Sequence, residues 1–148
     1  MDTKTKCIEV PIFGRSNSAL TNQYAIQIYS GEKVLRMLID TGAEYSSIGN
    51  IPLRGCVYHN TKQTSSIIGL GGIANTMRRV LLEFNLEKSN VGSYLFGIDF
   101  DVIPKKLNSY FNCGDLDGIL GTNFLRYCDI DLVNGVLNVF VPEEDINL

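Results

Sequence analysis

One tripeptide, formed by Asp40, Thr41 and Gly42, is the strongest candidate for chemistry in this sequence. It directly follows a mostly apolar run at residues 34–39. An unpaired carboxylate is costly to bury, so a carboxylate at the end of such a run is a candidate acid or base. The alternative is a turn in which the aspartate hydrogen-bonds its own backbone. The tripeptide by itself leaves both interpretations open.

A glycine-rich motif follows at residues 67–73, where Gly69, Gly71 and Gly72 fall within four positions. Glycines in a strand-like context indicate a flexible hairpin tip whose backbone approaches some other group closely, although a plain β-turn has the same composition. A phosphate-binding loop is excluded because neither a helical pattern nor a Gly-Lys-Ser/Thr sequence follows.

A third motif, at residues 117–125, places the apolar pair Ile119 and Leu120 before Gly121 and a short helical pattern. Its other interpretation is a buried strand followed by a helix that is capped by Thr122 or Asn123. Like the glycine-rich motif, it carries little information when it is considered alone.

The elements that must position these motifs are predicted to be strands, because the apolar residues recur with a period of two. A run at residues 34–39 predicts a strand buried on both faces. Asn134 and Gly135 predict a tight hairpin, and only residues 122–128 indicate a helix. The pattern therefore predicts one all-β domain over residues 1–148. The predicted alternating strands lie at residues 7–13, 24–29, 80–86, 94–100 and 136–141.

The composition narrows the possible partners and cofactors. A net charge of −3 argues against nucleic-acid binding, and no run approaches the roughly 18 apolar residues that span a bilayer. We therefore predict no nucleic-acid or membrane partner, and a cytoplasmic location or one within a particle assembled there. The cysteines lack CxxC spacing and His59 is the single histidine, so we expect reduced thiols and no metal or other cofactor. The four cysteines are Cys7, Cys56, Cys113 and Cys128.

Taken in order, the three motifs resemble those of the retropepsins, the retroviral-type aspartic proteases. The resemblance runs from about residue 24 to residue 140. It implies a closed β-barrel-like acid protease fold with a glycine-rich flap hairpin and one short C-terminal helix. It also implies an aspartic endopeptidase that hydrolyses peptide bonds in extended polypeptides.

The resemblance assigns roles to residues of each motif. Asp40, Thr41 and Gly42 would form the catalytic loop, in which Asp40 activates water and Thr41 braces the loop across a two-fold axis. Ile48 is a further candidate for an apolar subsite. The implied substrate-binding residues are Ala43, Ile68, Gly69, Leu70, Gly71, Gly72, Ile73 and Ile119.

The implied chemistry needs a second chain. Two carboxyl groups about 3 Å apart share one proton in such a site, because both cannot ionise at that distance. This chain contains Asp-Thr-Gly once, so the second Asp40 would come from another copy across a two-fold axis. We therefore predict a homodimer with a polypeptide substrate.

One departure from the family concerns the brace of the catalytic loop. Retroviral members often have an arginine after the apolar-apolar-Gly motif, paired with an acid beyond Asp-Thr-Gly-Ala. Here Glu44 keeps the acid, but Thr122 replaces the arginine, so the brace is absent or rebuilt through Arg126 or Arg36. Two alternatives remain: a catalytically silent retropepsin-fold module for peptide binding or dimerisation, and an unrelated β-barrel binding protein in which Asp40 caps a turn.

Overall fold

The computed structural model describes residues 5–16, 22–68, 74–88, 94–104 and 116–142. Within these ranges the chain forms eleven strands and two helices of four residues each. The all-β prediction is therefore confirmed. In chain order the elements are β1 (Thr5–Pro11), β2 (Phe13–Ser16), β3 (Asn22–Ser30), β4 (Lys33–Ile39), β5 (Ser46–Gly49), α1 (Asn50–Leu53), β6 (Val57–Ile68), β7 (Ala74–Phe84), β8 (Phe96–Ile103), β9 (Gly118–Leu120), α2 (Thr122–Leu125), β10 (Cys128–Asp131) and β11 (Val136–Pro142).

The strands form two sheets, one of three strands and one of eight. The small sheet has the order β1-β11-β10, so it brings the two ends of the described chain together. The large sheet has the order β2-β3-β4-β9-β5-β8-β7-β6. Its short strand β9 lies between β4 and β5, parallel to the first and antiparallel to the second. A late segment of the chain therefore separates two early strands.

The large sheet curls until two non-neighbouring strands meet. Two backbone hydrogen bonds of 2.9 and 2.8 Å join Tyr29 at the end of β3 to Asn85, which follows β7. The Ser30 hydroxyl, which is buried, also donates to the Glu83 carbonyl oxygen at 2.7 Å. The regular pairing of the eight strands does not close into a ring. The bridge between β3 and β7 brings the two sides of the sheet together, as the closure of the predicted barrel would.

An aromatic cluster fills the main core and anchors α2. The ring of Phe124 packs edge-on against Phe84 and Phe96, with centroid distances of 5.6 and 5.5 Å. Phe84 also stacks on Phe96 and meets Phe100 edge-on. Full burial of one such side chain contributes about 1.5–3 kcal/mol, so Phe124 holds α2 firmly against β7 and β8.

The alternation that predicted strands is seen in the burial of the side chains. Val80, Leu82, Phe84 and Leu86 are all buried, as the period of two requires. The prediction for residues 34–39 is partly wrong, because Val34 is half exposed and Arg36 is exposed. One face of β4 is therefore open to solvent at these positions. Only the opposite face, with Leu35 and Met37, is buried in the first part of the strand.

The helix prediction also needs correction. α2 ends at Leu125, so residues 126–128 leave the predicted helix for a turn and the start of β10. The sequence pattern missed α1, in which Leu53 is the buried residue. Four residues are too few to show a helical period, which explains the omission. No helix in the described ranges is long and apolar enough to cross a membrane.

The described cysteines are free thiols, in agreement with the sequence prediction. Cys7 is exposed, whereas Cys56 and Cys128 are partly buried. Burial raises the pKa of Cys56, and it raises the pKa of Cys128 to about 12. Both thiols therefore stay protonated near neutral pH, where thiolates are the reactive form. Cys113 lies outside the described residues.

The predicted hairpin at Asn134 and Gly135 is present, and Asp131 organises its turn. Gly135 has a φ of 68°, which suits glycine. The Asp131 carboxylate accepts the Asn134 backbone N–H at 3.0 Å and its side-chain N–H at 2.7 Å. These bonds lower the pKa of Asp131 below its ordinary value.

The turn should therefore make a small, pH-dependent contribution to stability. A carboxyl whose pKa is lowered on folding stabilises the fold above its unfolded pKa, and this contribution is lost as the pH falls through the folded pKa. We expect Asp131→Ala to lower the urea midpoint at neutral pH, with a deficit that narrows in acid. A difference in urea midpoint between Asp131→Ala and the wild type that grows towards low pH would contradict this. The control is Asp129→Ala, which replaces an exposed aspartate on the same strand.

Candidate active site

Strand β4 delivers Asp40 to the end of the large sheet, between β3 and β9. The Asp40 N–H donates to the Leu120 carbonyl oxygen at 3.1 Å, so the residue continues the pairing of β4 with β9 by one step. Asp40 is half-buried, while Thr41 and Gly42 are exposed. The three residues predicted to be catalytic therefore lie together, with the carboxyl group at the point where a central strand leaves the sheet.

A tight turn orients the Asp40 side chain. Its Oδ1 accepts the Gly42 N–H at 3.0 Å, and its carbonyl oxygen accepts the Ala43 N–H at 3.2 Å. A Cβ added at Gly42 would lie 3.3 Å from the same Oδ1, so glycine gives the carboxyl group room. This is also the turn that a purely structural role for Asp40 predicts, and its geometry is compatible with both interpretations.

Residues Asp40 to Tyr45 form the candidate loop. The backbone of this loop passes very close to Gly121. A Cβ at Gly121 would lie 2.7 Å from the carbonyl oxygens of both Ala43 and Tyr45. The Thr122 N–H donates to the Ala43 carbonyl oxygen at 2.7 Å. The crossing therefore requires glycine at the end of the third motif, which gives the Ile119-Leu120-Gly121 pattern a physical reason.

A hydrogen-bond network between Ser46 and Asn123 secures the end of the candidate loop. Asn123 Oδ1 accepts the Ser46 N–H at 3.1 Å and the Ser46 hydroxyl at 2.7 Å. Asn123 Nδ2 donates to the Asp99 carbonyl oxygen at 2.9 Å, and the Gly121 N–H donates to Ser46 Oγ at 3.0 Å. Ser46 is fully buried, so these bonds satisfy polar groups that water does not reach.

Sequence reasoning assigned no such role to Ser46, and it treated Asn123 only as a possible helix cap. The helix has no side-chain cap at its first turn, because the Asn123 side chain points to β5 and β8 instead. The available signal was weak: two adjacent polar residues, Thr122 and Asn123, interrupt an apolar motif.

Asp117, another residue without an assigned role, joins β4 to β9. Its Oδ2 accepts the Arg36 backbone N–H at 2.8 Å, and its own N–H donates to the Arg36 carbonyl oxygen at 2.8 Å. The Gly49 N–H donates to the Asp117 carbonyl oxygen at 3.0 Å. Asp117 therefore fixes the start of the strand whose far end carries Gly121.

Thr122 braces the candidate loop itself, at the position where retroviral members often have an arginine. Its hydroxyl donates to the Glu44 carbonyl oxygen at 3.3 Å, and the Asn123 N–H donates to the same oxygen at 3.1 Å. Arg126, proposed from the sequence as a substitute, instead donates from Nε to the Thr122 carbonyl oxygen at 3.2 Å. The brace contacts the backbone of the loop, so it does not depend on the charge of Glu44.

The predicted substrate-binding residues fall into two groups. Ala43, in the candidate loop, and Ile119, on β9, are both half-buried, and Ile119 pairs with Leu38. The β6–β7 pairing ends at Ile68 and Ala74, as a hairpin around the glycine-rich motif requires. Ile48 is fully buried in the main core, so its prediction as a subsite residue is wrong. The remaining predicted residues, Gly69, Leu70, Gly71, Gly72 and Ile73, lie outside the described residues.

Within the described ranges, no group of three or more histidine, cysteine, aspartate or glutamate side chains could hold a metal ion. The candidate loop carries the carboxyl groups of Asp40 and Glu44, and the turn holds that of Asp40 through the Gly42 N–H. A carboxyl group held in this way can act as a general acid or base.

Comparison with known proteins links this architecture to one fold. No protein-family model matches the chain, and no curated protein matches its sequence. Among solved structures, the chain is similar to a retropepsin-like aspartic protease from Rickettsia conorii, with a TM-score of 0.51 and 16% identity. The match covers 95% of this chain and 94% of that one. The chain therefore has the retropepsin fold, as its motifs predicted.

The crossing at Gly121 makes a first prediction about the site. We expect Gly121→Ala to lower the free energy of unfolding by about 3 kcal/mol or more, because its Cβ would meet two backbone oxygens that cannot move independently. Gly97→Ala is a matched control, since its Cβ would meet only the Leu81 side chain at 3.7 Å. Urea denaturation measures both, and equal stability of the two variants would contradict the crossing.

The Ser46–Asn123 network makes a second prediction. Asn123→Ala leaves the Ser46 and Asp99 groups without partners, so we expect a loss of about 2–3 kcal/mol in the free energy of unfolding. Asn60→Ala, which removes an exposed bond to Arg78, should change it by less than about 0.5 kcal/mol. If Asn123→Ala were as stable as Asn60→Ala, the network would not hold the loop.

Proposed function

We propose that the chain is one subunit of a homodimeric aspartic endopeptidase in which Asp40 is the catalytic carboxyl group. The main support is the position of Asp40 on a tight turn at the end of a central strand of a retropepsin fold. A separate segment, from Gly121 to Asn123, pins the loop that follows. A carboxyl group held in this way is ready to meet a partner without reorganisation.

The second carboxyl group would come from Asp40 of another copy. The chain has one Asp-Thr-Gly, and a two-fold axis through the two candidate loops would bring their carboxyl groups together. In such a pair one group stays neutral while the other is ionised, and their titration belongs to the pair. Thr41 and Gly42 are exposed on the same loop, where contacts across the axis are possible.

The proposed reaction is the hydrolysis of a peptide bond. The ionised Asp40 takes a proton from a water molecule, whose oxygen attacks the scissile carbonyl carbon, while the neutral Asp40 gives its proton to the carbonyl oxygen. The tetrahedral intermediate then collapses: the C–N bond breaks as the amide nitrogen takes the proton now held by the first Asp40, and one hydroxyl of the intermediate returns its proton to the other Asp40. The products are an amine and a carboxylic acid, and the pair is back in its starting state. Two identical side chains exchange the roles of acid and base, and no metal or other cofactor takes part.

The substrate would be an extended polypeptide bound between the candidate loop and the β6–β7 hairpin. Strand-like pairing with backbone groups supplies affinity without demanding a particular sequence. Ala43 and Ile119 would line the groove beside Asp40, and apolar subsites would favour apolar residues around the cleaved bond. From the hairpin, we propose Ile68, Gly69, Leu70, Gly71, Gly72 and Ile73 as further substrate contacts.

A second candidate function is a catalytically silent module that binds peptides or dimerises. It is favoured by the replacement of the family's arginine with Thr122, whose bonds to Ala43 and Glu44 lie within one chain. Such a brace shapes the loop from within its own chain. A statine-type inhibitor separates the two candidates, because its hydroxyl binds an assembled pair of carboxyl groups.

The decisive experiment is digestion of a complex peptide mixture at about pH 4 to 7, the range in which carboxyl pairs act. We expect Asp40→Asn to lower kcat/KM by at least about a thousandfold, because it removes the proton acceptor and the acid together. Cleavage by the wild type should rise more than linearly with subunit concentration. Asp129→Asn, an exposed aspartate on β10, is the control and should keep full activity.

Each outcome of the digestion decides between the functions. Cleavage by the wild type and by Asp129→Asn, but not by Asp40→Asn, supports the endopeptidase. Equal cleavage by Asp40→Asn would place the catalytic centre elsewhere. If folded dimers of the wild type cleave nothing and bind no statine, the silent module replaces the endopeptidase.

A further inference from the structure

Arg79 of β7 makes a nearly buried ion pair with the residue opposite it on β8. Its Nε lies 2.9 Å from Asp101 Oδ1, and the two side chains are 12% and 10% exposed. Burial by itself would lower the pKa of Arg79, but the hydrogen bond and charge of Asp101 outweigh it, so the pKa is raised. Separating a charge pair at this depth is costly, so the ion pair holds the Arg79 side chain in one position.

A bulge in β6 is arranged around the same arginine. The β6–β7 register shifts between Asn60 and Thr64, so residues 61–63 lie opposite Arg79. The Thr61 hydroxyl donates to the Arg79 carbonyl oxygen at 2.8 Å, and Arg79 Nη1 donates to Gln63 Oε1 at 3.3 Å. A bulge bends and twists its strand, so Arg79 lies where the hairpin changes direction.

The guanidinium group also touches the candidate loop. Arg79 Cζ lies 4.1 Å from the ring centroid of Tyr45, well within the range of a cation–π contact. Tyr45 is the last residue of the candidate loop, five positions after Asp40. One side chain therefore contacts β8, the β6 bulge and the loop that carries the catalytic candidate.

The half of the hairpin beyond the bulge packs against residues of β4 and β9 near the candidate loop. Met77, which pairs with Ser65 in this outer half, is buried in a small cluster with Ala25. Leu38 and Ile119, which flank the candidate loop, pack against that cluster. A change in the angle at the bulge would therefore alter the contact between the hairpin and the walls of the groove.

We propose that Arg79 is a positioning residue that sets the angle of the outer half of the β6–β7 hairpin against the candidate loop. By this contact it fixes the width of the peptide-binding groove. The inference rests on the proposed function for its effect on a substrate, but the coupling itself is a property of the fold. Only arginine serves here, because its planar fork donates to two partners and stacks on a ring at the same time.

Arg78 offers a matched control on the same strand. It is exposed and faces the opposite side, where Nη1 donates to Asn60 Oδ1 at 2.8 Å and Cζ lies 5.8 Å from the Tyr58 ring. Arg78→Lys thus keeps the charge and disturbs a similar set of groups. It leaves the ion pair with Asp101 and the contact with Tyr45 in place.

The first test compares peptide hydrolysis by the wild type, Arg79→Lys and Arg78→Lys. For Arg79→Lys we expect KM to rise about tenfold while kcat changes less than about threefold, because the groove loses its shape but the carboxyl pair does not. For Arg78→Lys both constants should stay within about twofold of the wild type. A fall in kcat at unchanged KM would overturn the inference.

The second test uses amide hydrogen exchange and needs no activity. Arg79→Lys should speed exchange both in residues 61–68 and at Tyr45 and Ser46, whereas Arg78→Lys should leave Tyr45 and Ser46 unchanged. If the wild type cleaves nothing, the proposed function fails but this test still decides the coupling. Unchanged exchange at Tyr45 in Arg79→Lys would overturn it.

A third variant covers the case in which Arg79→Lys does not fold. Gln63→Ala removes only the exposed contact at the bulge and leaves the buried ion pair intact. It should raise KM in the same direction by a smaller factor and speed exchange in residues 61–68. No change in either quantity would overturn the inference.

Discussion

The close crossing of the candidate loop over Gly121 is the constraint on which the rest of the structure depends. Two carbonyl oxygens of the loop lie only 2.7 Å from where a Cβ at Gly121 would be, so the two segments approach backbone to backbone. This approach lets Thr122 and Asn123 donate directly to the carbonyl oxygens of Ala43 and Glu44. Without it, the turn that holds the Asp40 carboxyl group would keep its own short-range hydrogen bonds and the bond from the Asp40 N–H to Leu120, but would lose the bonds from Thr122 and Asn123.

The crossing is possible because the core fixes both segments. β9 lies between β4 and β5, and Asp117 ties its beginning to β4 and to Gly49. Phe124 then holds α2 against the aromatic cluster of β7 and β8. The loop is thus clamped at both ends by elements whose burial, rather than any local preference, determines where they lie.

The loop is braced within one chain, whereas the proposed chemistry needs two. Ser46, Thr122 and Asn123 brace the loop where retroviral members often have an arginine–acid pair, which the sequence predicted to be absent here or rebuilt through Arg126 or Arg36. Their bonds join uncharged groups, one of them between the side chains of Ser46 and Asn123 and the others to the backbone, so they keep the loop in shape in an isolated subunit. Dimerisation would then complete the pair of carboxyl groups without having to order the loop, which separates assembly from positioning.

The sequence by itself determined the order of the motifs, the strand character of the chain and the place of Asp40. These features depend on neighbours along the chain: alternation predicted the burial of Val80 and Leu82, and Gly135 predicted its turn. Only the tertiary structure decided the exposure of Arg36, the full burial of Ile48, and the partners of Ser46 and Arg79. Ser46 and Asn123 are 77 positions apart, and a single sequence has no period that links such residues. Their contact exists because β9 enters the sheet between β4 and β5, an event set by the packing of the whole core.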